Sequence, residues 1–185
     1  MRIFLAVTLP DEIKSALADV SRKLQTSCAD VKWTRSENYH ITVKFLGDMK
    51  PEMLDSVIGC VKTAVKDIRP FSIRISGAGA FMKRGIPGVI WIGTQDDSGQ
   101  LGIISGRIDD LLSDLGFEKE NRAFSAHITL GRARSAGGAD KLRDLLNSMK
   151  DTGIGCLSVN SISVMKSDLR SDGPVYSTLH TIELG

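Results

Sequence analysis

Apolar positions along the 185-residue chain follow two periods, one of strands and one of helices. Residues 2–8, RIFLAVT, are apolar almost without break, which predicts a strand covered on both faces. Pro10 then opens a helix with Ile13, Leu17, Val20 and Leu24 on one face. Strands are predicted at 31–34 and 39–46, the second ended by Gly47-Asp48. Pro51 opens a second helix, with Leu54, Val57, Ile58, Val61, Val65 and Ile68 in register, and Arg69-Pro70 closes it. Three more strands are predicted at 71–76, 78–82 and 89–94, the last two separated by a turn rich in Gly and Pro. A third helix is predicted over 98–115, with Leu101, Ile104, Ile108, Leu111 and Leu115 inward and Gly116 as its C-terminal cap. A strand at 124–130 stops at Gly131, a fourth helix covers 139–150, and strands at 157–165 and 175–183 close the chain. The alternation slips by one residue between Val159 and Ile162, which predicts a β-bulge near Asn160 and Ser161.

Many of these strands are joined by short turns, so they cannot all be parallel. The pattern predicts an α+β fold with mostly antiparallel sheets. The length suits one domain or two tightly joined lobes, and we read residues 1–185 as a single bilobal domain.

One pattern recurs in both halves. His40-Ile41-Thr42-Val43 and His127-Ile128-Thr129-Leu130 are both His-x-Thr within a strand. Side chains alternate along a strand, so His40 and Thr42 share one face and Ile41 and Val43 the other. The second copy repeats this with His127 and Thr129. Two imidazoles across a cleft can serve as one base and one acid, since histidine titrates nearest neutrality. Two threonine hydroxyls can donate to the oxygens of a phosphate where charge builds up. Such chemistry calls for no metal or other cofactor, in keeping with a sequence that has no HExxH motif and no Gly-rich phosphate loop. Arg132 is expected to bind the same anion if Gly131 bulges or ends the strand, because strict alternation would turn it away. Lys44 has the parity of His40 and Thr42, which places it at the cleft or its rim.

Other features carry less. A net charge of +2 gives no broad electrostatic footprint for duplex DNA or an anionic membrane. The three cysteines, Cys28, Cys60 and Cys156, are widely spaced and read as reduced thiols of a cytoplasmic protein, with Cys60 in the core. No apolar run reaches the length of a membrane span. His180 lacks a threonine two residues on and reads as a structural or surface histidine of the last strand. Trp33 and Trp91 are candidates for base stacking, with core packing favoured for Trp91.

These residues resemble the 2H phosphoesterases, in the branch named for 2′-5′ RNA ligase and RNA 2′,3′-cyclic phosphodiesterase. The likeness rests on Met1-Arg2-Ile3-Phe4-Leu5-Ala6-Val7 with Leu9-Pro10, on Trp33 with 38–47, NYHITVKFLG, and on 122–132, RAFSAHITLGR. It also rests on Val164-Met165-Lys166-Ser167-Asp168-Leu169 with Gly173-Pro174-Val175-Tyr176 near the end. Ala126 stands where that family often has proline, which leaves φ unfixed before the second histidine. The resemblance implies two mostly antiparallel sheets with helices outside and a central cleft. It implies hydrolysis of a terminal RNA 2′,3′-cyclic phosphate, or of a cyclic nucleotide, to a 2′-phosphate. It makes His127 the base that activates water, His40 the acid that protonates O3′, and Thr42, Thr129 and Arg132 the phosphate holders. Tyr39 or Phe45 would stack on the terminal base. The same site can join a cyclic-phosphate end to a 5′-hydroxyl, so 2′-5′ RNA ligation of fragments such as tRNA halves is the alternative activity. A non-catalytic nucleotide- or RNA-binding module is a further alternative. The lack of a long exposed apolar stripe leans toward a monomer.

Overall fold

The computed structural model describes residues 1–171 and 173–185. Among the described residues nine strands and four α-helices make an α+β fold, arranged about one curled antiparallel sheet in the order β7-β4-β5-β6-β3-β1-β8-β9, with β2 beside β6. The strands are β1 (Arg2–Thr8), β2 (Val31–Trp33), β3 (His40–Asp48), β4 (Phe71–Lys83), β5 (Ile86–Gln95), β6 (His127–Ala133), β7 (Gly153–Val159), β8 (Ser161–Arg170) and β9 (Gly173–Glu183). The helices are α1 (Asp11–Gln25), α2 (Leu54–Val65), α3 (Gln100–Ser113) and α4 (Ala139–Ser148).

The near-continuous apolar run of β1 has the cause expected for it. β1 lies between β3 and β8, and its five central residues are buried. The α3 stop is also as expected. Gly116 at φ +87° lets Phe117 N–H reach Leu112 O and Gly116 N–H reach Ser113 O, which closes the helix end.

Two halves meet in the sheet. One contains β3, β1, β8 and β9; the other contains β7, β4, β5 and β6. The partnership between β3 and β6 is a single residue pair, Ile41 with Ile128. The helices tie the halves together. α1 follows β1 but lies against β7, and α3 follows β5 but lies against β3. Leu17 of α1, Ile41, Ile75, Ile108 of α3, Ile128 and Val164 are all buried in one continuous core. Burying that much apolar surface is the main force holding the halves in place.

Three sequence expectations need correction. The predicted strands 71–76 and 78–82 are one strand, β4, kinked where Gly77 at φ +79° falls between Ser76 and Ala78 in the ladder. The phase slip near Asn160 is a change of neighbours, not a bulge. β7 ends at Val159 and pairs with β4, while β8 starts at Ser161 and pairs with β1 and β9. Gly131 does not stop the second motif strand, since β6 runs on to Ala133 beside β2. A Cβ at Gly131 would sit 2.6 Å from Val31 Cγ1 and 3.0 Å from Trp33 Cε3, so the glycine is the seat on which β2 packs.

Candidate active site

The Ile41–Ile128 pair is the axis of the site. Each is the middle residue of a His-x-Thr, and both are fully buried on the helix side of the sheet. Antiparallel register about this pair sets His40 across from Thr129 and Thr42 across from His127. All four side chains therefore stand on the other, concave face, partly exposed.

Both imidazoles are oriented alike. His40 Nδ1 lies 2.8 Å from the carbonyl of Asn38, and His127 Nδ1 lies 2.7 Å from the carbonyl of Ser125. A carbonyl oxygen only accepts, so each Nδ1 carries the proton and each neutral ring offers Nε2 for chemistry. Thr42 Oγ1 lies 3.0 Å from His40 Nε2 and donates to it in the resting protein. Asn38 is itself held by its side-chain amide, which donates to Pro174 O at 2.9 Å. Burial pushes the His40 imidazole below its ordinary value; the bond to the Asn38 carbonyl opposes this, and the charge of His127 adds to it.

Aromatic rings wall the histidines. Phe4 and Tyr176 have ring centres 4.8 and 5.4 Å from that of His40, and Phe81 stands edge-on to His127 at 5.0 Å. Phe4, Ala6 and Met165, with Tyr176 packed on them, make a small apolar floor beneath His40. These contacts come from β1, β4, β8 and β9, so no local pattern around either histidine announces them.

A bulge in each motif strand sets which way the residues beyond the threonine face. Along β1, Ala6 pairs with Thr42 and Leu5 with Lys44, which leaves Val43 as the extra residue. Along β5, Trp91 pairs with Thr129 and Ile90 with Gly131, which leaves Leu130 extra. Parity flips after each bulge. Arg132 is thereby brought to the face of His127, as a phosphate-holding role requires, and it is exposed there. Phe45 is brought to the face of His40 and is 63% exposed. Lys44 goes the opposite way from its expected place. It is buried on the core side, ion-paired with Asp109 and donating to Glu118 O at 2.8 Å. The Asp109 carboxylate also accepts from Glu120 N–H at 3.1 Å. Burial pushes Asp109 up, but the bonds from Lys44 and Glu120 with the nearby lysine charges outweigh it and hold the carboxyl below its usual range.

Beside the histidines a cavity of about 500 Å³ is lined by Thr42, Phe45, Phe81, Arg122, Phe124 and His127, among others. Tyr39 takes no part in it. It is 3% exposed in the core, and burial raises its phenol. Trp33 packs on Gly131 and also lines a recess beside the site, with Arg132 and Tyr176. Trp91, expected in the core, instead shares the face of Thr129, lying flat on Gly79 with Phe81 at 5.4 Å. Cys28, Cys60 and Cys156 are free thiols, with Cys60 at the core's edge and pushed up chiefly by burial. His180, on β9, pairs with Val164 of β8. Among the described residues no helix is long and apolar enough to cross a membrane.

Comparison with known proteins gives the family and the fold. The model of the family described as LigT like Phosphoesterase matches residues 7–91 and again 92–176, one motif in each match. The chain is 34% identical to the RNA 2′,3′-cyclic phosphodiesterase of Methanocaldococcus jannaschii over 97% of this chain and 98% of that one. It is 29% identical to the protein of the same name from Methanothermobacter thermautotrophicus over 100% of this chain and 99% of that one. Among solved structures, a Thermus thermophilus protein shares the fold with TM-score 0.83 at 24% identity, covering 100% of this chain and 98% of that one. E. coli LigT complexed with 3′-AMP shares it with TM-score 0.79 at 20% identity, covering 99% and 97%.

Proposed function

The chain belongs to the LigT-like phosphoesterase family, and we propose that it is an RNA 2′,3′-cyclic phosphodiesterase working through His40 and His127. The observation that carries this is the pairing of two His-x-Thr strands about Ile41 and Ile128, which presents two Nε2 atoms and two hydroxyls to one cleft.

In this reading the cyclic phosphate lies between the threonines. Thr42 and Thr129 donate to its non-bridging oxygens, and the Arg132 guanidinium neutralises charge as the phosphorus becomes five-coordinate. His127 Nε2 takes a proton from water, and the water oxygen bonds to phosphorus. The P–O3′ bond breaks, and His40 Nε2 gives O3′ its proton, leaving a 2′-phosphate. For this His40 first takes up a proton from solvent at Nε2, favoured by the bound anionic phosphate, so that the resting Thr42–His40 bond opens and the hydroxyl turns to the phosphate. Burial makes the His40 imidazolium, once formed, a stronger acid toward the leaving oxygen, and also lowers the fraction of His40 that carries the proton. The exposed ring of Phe45 stacks on the terminal base in the adjoining cavity.

Residues 1–185 act as one bilobal domain, because α1 and α3 each cross to the other half. Both histidines come from one chain, which supports a monomer as the working unit. Free thiols and an RNA substrate support a cytoplasmic location.

The test is a short RNA ending in a 2′,3′-cyclic phosphate, incubated in EDTA with the wild-type protein, His40→Ala and His127→Ala. The expected product is the 2′-phosphate, identified by chromatography against 2′- and 3′-phosphate standards. Each variant should lose about 10²–10⁴-fold in rate. Undiminished turnover by either variant would remove that histidine from the mechanism.

A further inference from the structure

Next to the two-histidine cleft is a second recess of about 270 Å³, walled by Lys32, Arg35, Asn38, Arg132, Pro174 and Tyr176. It adjoins the reaction site through Tyr176, whose ring lies 5.4 Å from His40, and through Arg132.

Its charge arrangement needs an explanation. Lys32 on β2 is the direct cross-strand partner of Arg132 on β6. Val31 packs on the core side, where a Cβ at Gly131 would meet it, so alternation turns Lys32 to the side of Arg132. Both are exposed. Like charges directly opposite one another repel and weaken a strand pair. Among the described residues no carboxylate forms an ion pair with either, whereas Arg35 in the same recess has Glu37 at 4.0 Å. A terminal cyclic phosphate carries one negative charge, which Arg132 answers. Lys32 is then a surplus cation held beside the reacting phosphate. In an RNA strand the next anionic group is the phosphodiester one nucleotide away. Opposed side chains start about 5 Å apart, and both are long enough to engage neighbouring phosphates together.

We propose that Lys32 binds the phosphodiester preceding the terminal nucleotide, so that the preferred substrate is an RNA strand and not a free cyclic nucleotide. This rests on the phosphodiesterase reading and specifies its substrate. With an anion on each cation the cross-strand repulsion is relieved when RNA binds. The contact is to the backbone, so it discriminates strand from mononucleotide without reading sequence.

Three substrates test it: a short RNA with a 2′,3′-cyclic phosphate end, the same RNA with a neutral methylphosphonate at its last internal linkage, and a 2′,3′-cyclic mononucleotide. For the wild type, the methylphosphonate should raise KM about tenfold, the effect of losing one charge-assisted contact. Lys32→Ala should lower the ratio of kcat/KM on RNA to that on mononucleotide by a similar factor, and the methylphosphonate should cost that variant nothing more. Lys32→Arg should restore most of the ratio. The salt dependence of log kcat/KM on RNA should flatten in Lys32→Ala by about 0.7, the value for one phosphate of a single strand. Losses that multiply between variant and methylphosphonate, or an equal loss on RNA and mononucleotide, would overturn the proposal. Wild-type protein inactive on all three substrates would instead overturn the phosphodiesterase reading, and this inference with it.

Discussion

Phe45 and Arg132 occupy the same place in two copies of one motif. Each lies two residues beyond an extra strand residue, Val43 or Leu130, and each is thereby turned onto the histidine face. The two halves have put different chemistry at that place: a flat apolar ring on one side and a guanidinium on the other. A base and a phosphate are what those groups suit.

The two should therefore fail differently. Phe45→Ala is expected to raise KM for RNA about tenfold with kcat little changed, the effect of one lost stacking contact. Arg132→Ala should lower kcat about 10²-fold, because the charge it answers is largest in the transition state. Steady-state kinetics on one RNA substrate separate the two, and equal changes in KM and kcat for both variants would contradict the division.

His40 sets a pH dependence of both activity and stability. Its folded value lies below the ordinary one, so between that value and about 6.5 the unfolded chain binds a proton that the folded protein does not. Stability is full above that window and is lost as the pH falls through it. Denaturant midpoints at several pH values should show this slope, and His40→Gln should flatten it. In the proposed mechanism His40 is the proton donor and must be charged to act, so kcat/KM should decline once the pH rises past the lowered value. A decline beginning only above pH 7 would point to another donor.

The Lys44–Asp109 pair is a positioning device. It fastens β3 to α3 and, through Glu118 O and Glu120 N–H, holds the start of the segment that leads to His127. Lys44→Met removes one partner of a mostly buried pair and should destabilise the fold by about 2 kcal/mol, below the usual figure because Asp109 retains some solvent. Thermal unfolding measures it. The double variant Lys44→Met/Asp109→Leu should recover part of the loss.

Gly131→Ala tests the seat of β2. Its Cβ would press on Val31 and Trp33, and the expected cost is about 1–3 kcal/mol. Gly116→Ala, at the end of α3, has open space but a positive φ, and should cost about 1 kcal/mol. A larger loss at Gly116 than at Gly131 would contradict the packing argument.

What the sequence by itself determined is whatever depends on near neighbours. The run of β1, the apolar faces of α1 to α4, the Gly116 stop and the paired His-x-Thr faces all come from local periodicity. Even the orientation of each imidazole is local, since both bond to the carbonyl two residues earlier. What only the tertiary structure decided is whatever depends on the adjacent strand. An extra residue is extra only relative to its partner, so Val43 and Leu130 cannot be recognised as bulges from their own strands. That is why parity predicts Lys44 at the cleft although it lies in the core, and why Phe45 faces the site against its parity. The break at Asn160 has the same origin: the phase of the side chains changes because the chain leaves β4 and joins β1, and a switch of partner is written in no single strand.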